Sequence, residues 1–88
     1  MSTATDLEPI FEEAKALLEE RESLLGDSWR TKGNIRNAMS QIFRKQRYLE
    51  SMFDNKKTDD PRFTEDLKDL MNWCAMALWF VKSEKETK

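Results

Sequence analysis

The chain reads as an all-α protein, a small three-helix domain expected to complete its core by homo-oligomerisation. Three observations lead there. Apolar residues recur at spacings of three and four through most of the 88 residues, with no period-two alternation that would argue for strands. Helix punctuation divides the chain, with Asp6 and Asp60-Pro61 as starts and Gly26 and the polar run Asn55 to Asp60 as breaks. A chain this short also buries only a modest fraction of its surface, so subunit association is the expected source of further stability. No internal repeat, low-complexity stretch or Pro/Gly-rich linker proposes a second domain.

The first helix is predicted over about residues 7–25, capped by Asp6, with Pro9 in the opening turn, where its missing amide proton has no intrahelical partner. Gly26 stops it. Ile10, Phe11, Ala14, Leu17, Leu18, Leu24 and Leu25 form one packed face, and Arg21 interrupts that stripe. An arginine in a seam pairs with an acid of the last helix or snorkels out to solvent, or else it is a phosphate ligand; as a buried partner its loss would cost on the order of 3 kcal/mol. Glu13 and Glu20 lie along one edge of the stripe. Gly26 to Asn34 is the main irregular stretch, where Trp29 is either a lid on the core or a stacking surface.

The second helix, over about 34–54, turns Ile35, Ala38, Met39, Ile42, Leu49 and Phe53 inward, while Arg36, Arg44 and Arg47 share another face suited to phosphate. The third, over about 61–82, begins at Pro61 behind Asp60, and the charged tail 83–88 is expected to fray. At 100° per residue, Glu65, Asp66, Asp69, Asn72, Trp73 and Met76 fall within a sector about 120° wide. Leu67, Leu70, Met71, Cys74, Leu78 and Val81 fill the opposite side, which is predicted to be core. Trp73, Met76, Trp79 and Phe80 then extend the apolar circumference toward a partner subunit.

The net charge of -2 conceals segregation: residues 1–26 hold seven acids and two bases, residues 27–57 three acids and eight bases. Either oppositely charged helices pair along their edges, or a phosphate-binding surface sits beside a carboxylate cluster. The overall acidity argues against nucleic acid as the partner. Histidine is absent, which removes imidazole metal sites and Ser-His triads and leaves hard cations held by oxygen. Cys74, the single cysteine, excludes an intramolecular disulfide and is predicted to be a buried inert thiol. The 12-residue apolar run from Leu70 to Val81 is too short to span a bilayer, and the polar start lacks the character of a signal peptide. A cytoplasmic location without membrane contact is expected.

Glu65-Asp66-Leu67-Lys68-Asp69-Leu70-Met71-Asn72-Trp73 resembles the metal-binding helix of the MazG-like all-α nucleotide pyrophosphohydrolases, in which an acid and an aspartate precede an apolar run. Gly26-Asp27-Ser28-Trp29-Arg30 and Ile42 to Leu49 are similar to the glycine-aromatic loop and basic helix of the small phage and bacterial nucleotide-modification-associated relatives. The resemblance implies a phage-type or bacterial cytoplasmic protein that acts on a nucleotide with Mg²⁺. Asp66 and Asp69, with Glu65 or Glu20, would hold the metal; Trp29 would take the base, and Arg21, Arg30, Arg44 and Arg47 the phosphates. The family adds a glutamate pair from a preceding helix, whereas the second helix here contains only Glu50 and Asp54. Glu19 and Glu22 have the spacing but lie on the outer surface of the first helix. Three functions stay open: a Mg²⁺-dependent pyrophosphohydrolase, a nonhydrolytic nucleotide-binding or sequestering protein, and a helical interaction module.

Overall fold

The computed structural model describes residues 3–26 and 28–87. Among these the chain is all-α, with four helices and no strand: α1 (Thr3–Leu25), α2 (Ser28–Lys32), α3 (Ile35–Asp54) and α4 (Pro61–Thr87). None of them is long and apolar enough to cross a membrane.

The differences from expectation are at the ends and in the loop. α1 begins before Asp6, so Pro9 lies in its second turn and the helix forgoes one backbone hydrogen bond, to the Thr5 carbonyl. The stretch read as irregular contains the short helix α2, bounded by two glycines, with Asp27 outside the described residues. The tail expected to fray continues α4 to Thr87, and Lys88 lies outside the described residues.

Local chemistry explains each boundary. Gly26 follows α1 at φ 77°, and its amide donates to the Glu22 carbonyl at 2.8 Å, closing the last turn in a conformation that favours glycine. Asn34 caps α3, its side-chain oxygen accepting from the Asn37 amide at 2.8 Å. The Asp60 carboxylate accepts from the Arg62 amide at 2.9 Å and from the Arg62 guanidinium at 3.0 and 3.3 Å. The guanidinium bond comes first, and the backbone bond next, in holding this carboxyl below the usual aspartate range.

α4 is the centre of the fold, packing on α3 and on α1. Ala14 and Ala38 are buried, and their small side chains let the helices approach closely. Along α3 the inward line is Ile35, Ala38, Ile42, Lys45, Leu49 and Met52, a 3-4-3-4-3 seam that leaves Met39 and Phe53, both predicted to be inward, exposed at 53% and 65%. The phase of α4 is reversed from expectation. Asp69, Asn72, Met76 and Phe80 are buried, whereas Leu67, Cys74, Leu78 and Val81 of the predicted core face are exposed. The reason is pairing, since the acids of α4 meet cations from both neighbouring helices.

The interior is therefore layered. At one end Trp29, Trp79 and Phe80 meet edge to face, with centroid separations of 5.3 to 5.8 Å. α2 lies over this aromatic layer, and Gly33 makes its close approach possible. A Cβ on Gly33 would stand 2.2 Å from the Trp29 carbonyl oxygen and 3.3 Å from Phe80 Cζ. Gly33→Ala is accordingly expected to push α2 off the layer and cost about 1–3 kcal/mol. Urea unfolding followed by tryptophan fluorescence measures it.

Candidate functional site

The other end of the interior is ionic. Glu65, Asp66 and Asp69 come from the first turns of α4, Arg21 from the interrupted stripe of α1, and Lys45 from the seam of α3. They alternate in sign. Arg21 Nη2 lies 3.1 Å from Glu65 Oε1 and Arg21 Nε 3.4 Å from Asp69 Oδ1. Lys45 Nζ stands 3.3 Å from Asp69 Oδ2 and 3.0 Å from Asp66 Oδ1. Asp69, only 7% exposed, thus has a cation on each oxygen, as a buried carboxylate requires. Further along the α1–α4 contact, the buried Asn72 side chain donates to the Ala14 carbonyl at 2.9 Å, and Lys68 pairs with Glu13 at 3.6 Å.

This geometry revises the size of one expectation. Arg21 does meet carboxylates of the last helix, but its side chain is 44% exposed and Asp69 keeps Lys45 without it. Arg21→Met is expected to cost about 1 kcal/mol, not 3, because a half-exposed pair is screened by water. A loss above about 3 kcal/mol in a urea titration would mean that Lys45 cannot hold Asp69 alone.

The donor set does not fit a resident Mg²⁺ in this arrangement. Such an ion takes near-octahedral oxygen ligands at about 2.1 Å, whereas the oxygens of Asp66 and Asp69 converge on an ammonium group. Among the described residues no group of three or more carboxylate or thiol side chains gathers into a metal-binding cluster. Glu20 is exposed on α1 and does not join the others.

A cleft of about 470 Å³ opens beside the ionic layer, among all four helices. Arg21, Lys32, Arg44 and Lys45 line it with the rings of Trp29 and Trp73, opposed by Glu22 and Asp69. It continues past Arg21, Arg44 and Lys45 into a second groove of about 370 Å³ bordered by Tyr48 and Arg62. Arg44 donates to Gln41 Oε1 at 2.6 Å and is otherwise exposed.

Of the predicted phosphate ligands, the cleft brings together Arg21 and Arg44 with Trp29. Arg47 instead lies with Ser40, Phe43 and Arg44 in a shallow depression on the outer face of α3. Arg30 is drawn to aromatic rings, its guanidinium carbon 5.3 Å from the Trp29 centroid and 5.5 Å from that of Trp79. Trp29 packs on Trp79 and Phe80, as the lid reading expected, and it also borders the cleft. Its Nε1 is buried, with no hydrogen-bond partner among the described residues.

Sequence reasoning missed Lys45 as the centre of the network, and Lys32 and Trp73 as cleft residues. Lys45 interrupts the α3 seam as Arg21 interrupts that of α1, a signal that shows only once the inward phase of α3 is known. Comparison with known proteins finds no matching family model, no matching curated protein and no matching solved structure.

Proposed function

We propose that this protein binds a nucleotide in the cleft among its four helices, without a resident metal and without hydrolysing it. The observation that carries the reading is the convergence of four cationic side chains and two tryptophan rings on one cleft of about 470 Å³. That volume lies within the range of small-molecule sites, which are concave, largely apolar and marked by a few convergent polar groups. Arg44 and Lys32 are the phosphate-contacting candidates, since Arg21 and Lys45 are already committed to carboxylates. Trp73 and Trp29 offer surfaces for a base. The resemblance of Glu65 to Trp73 and Gly26 to Arg30 to the MazG-like enzymes supports the same ligand class. The Lys45 bridge weighs against their metal chemistry, because an ammonium between two carboxylates supplies charge balance but cannot lower the pKa of an attacking water as Mg²⁺ does.

The test is a tryptophan fluorescence titration with ribo- and deoxyribonucleoside mono-, di- and triphosphates, in EDTA and again in Mg²⁺. Saturable binding in EDTA, weakened about tenfold or more by Arg44→Ala, is the expected result. If no nucleotide changes the emission at millimolar concentration, the reading fails. Pyrophosphate release that needs Mg²⁺ and disappears in Asp69→Asn would establish the hydrolase instead.

A further inference from the structure

The face of α4 opposite the ionic layer is left largely uncovered by the described residues. Leu67, Leu70, Met71, Cys74, Leu78 and Val81 lie within a sector about 100° wide. Leu67, Cys74, Leu78 and Val81 are exposed, Leu70 and Met71 half-buried. No charged residue enters that sector between Phe63 and Val81, and positions 67, 74 and 81 recur every seven residues with 70, 71 and 78 between them. This is the pattern of a helix-packing seam, turned outward.

The surface that the chain leaves exposed is large enough to admit a second copy. The chain exposes 7023 Å², while a compact monomer of its 10.5 kDa exposes about 5,400 Å². The excess, about 1,600 Å², is twice the roughly 800 Å² that each partner contributes to a standard stable interface. The radius of gyration, 14.5 Å, exceeds the roughly 12 Å of a compact domain of this length in the same sense. A charge-free stripe also meets a copy of itself without like-charge repulsion, which a two-fold interface requires, since it places the same patch on both sides.

We infer that the outer face of α4 is the interface of a homodimer, in which this stripe packs on the same stripe of a second copy. The interface is thus the face first expected to be the monomer's own core, and not the Trp73, Met76 and Phe80 side. The inference is independent of nucleotide binding, and its test contains no nucleotide.

Sedimentation or light scattering of the full chain should give a dimer at about 100 µM that dissociates on dilution. Leu78→Glu places a charge in the seam of both copies and is expected to raise the dissociation constant at least about a hundredfold, with helical circular dichroism unchanged. Phe43→Glu, on the outer face of α3, should leave association as it is. Cys74 gives a second readout that needs no variant: its alkylation should be slow in the concentrated dimer and faster on dilution. A wild-type chain that stays monomeric at about 100 µM overturns the inference. So does a dimer that Phe43→Glu breaks while Leu78→Glu spares it, or a Cys74 alkylation rate independent of protein concentration.

Discussion

Lys45→Met is expected to lower the unfolding free energy by about 3–5 kcal/mol, the usual cost of removing one partner from a buried ion pair. The ammonium joins Asp66 and Asp69, whose side chains are 15% and 9% exposed, and its own side chain is only 20% exposed. Methionine fills much the same volume, so the loss reports the charge more than a cavity. Arg21 still neutralises one oxygen of Asp69, whereas the hydrogen bond from Lys45 to Asp66 is lost outright. Adding Asp66→Asn to Lys45→Met should restore part of the loss, because a neutral amide needs no counter-ion. Urea unfolding of the two single variants and the double variant gives the coupling directly. A cost below about 1 kcal/mol would place the pair in the class of solvated surface bridges and remove the explanation for the buried Asp69 of α4.

Phe80→Ala is expected to be comparably damaging, about 3–5 kcal/mol, by the cost of emptying a buried aromatic site. Phe80 is 7% exposed and meets both Trp29 and Trp79, so its removal takes the support from beneath α2 as well as from the core. The effect is magnified in a fold whose other buried apolar residues, among those described, are Ala14, Ala38, Leu49, Met52 and Met76. For a chain of this size the loss is a large fraction of the whole stability, and a melt by circular dichroism should show a broad, early transition. Phe80→Leu keeps most of the volume and should cost about 1.5 kcal/mol or less.

Helix boundaries were largely legible because the forces that set them are local. Gly26, Asn34 and the Asp60-Pro61 pair act within a few residues of themselves, and the helices end or begin beside them. The rotation of α4 was not legible from α4 alone. Its outer stripe is the more apolar one, so a single helical wheel assigns it to the core. Burial of Asp69 and Asn72 depends on Arg21, Lys45 and the Ala14 carbonyl, which come from distant parts of the chain. Arg21 could be found because it stands alone in an apolar stripe. Lys45 was concealed because Met39, Phe43 and Phe53 give α3 a second apolar line, now seen to face solvent, that blurs which phase is inward. Arg47 does share a face with Arg44, as its spacing indicates, but the cleft receives only the latter.

The uneven packing around α4 has a kinetic consequence. α4 packs more extensively on α3, its neighbour across the short connection 55–60, than on α1. The bonds that hold α1, from Arg21 to Glu65 and from Asn72 to Ala14, close segments of 44 and 58 residues. Loop-closure entropy therefore favours an α3–α4 hairpin that forms early and an α1 that docks last. In the native state the order reverses, so α1 should open by itself at a free energy below that of global unfolding. Amide hydrogen exchange should show α1 losing protection first. Each such opening removes Leu18, Arg21 and Glu22 from the cleft, so the cleft has its full wall only while α1 is docked.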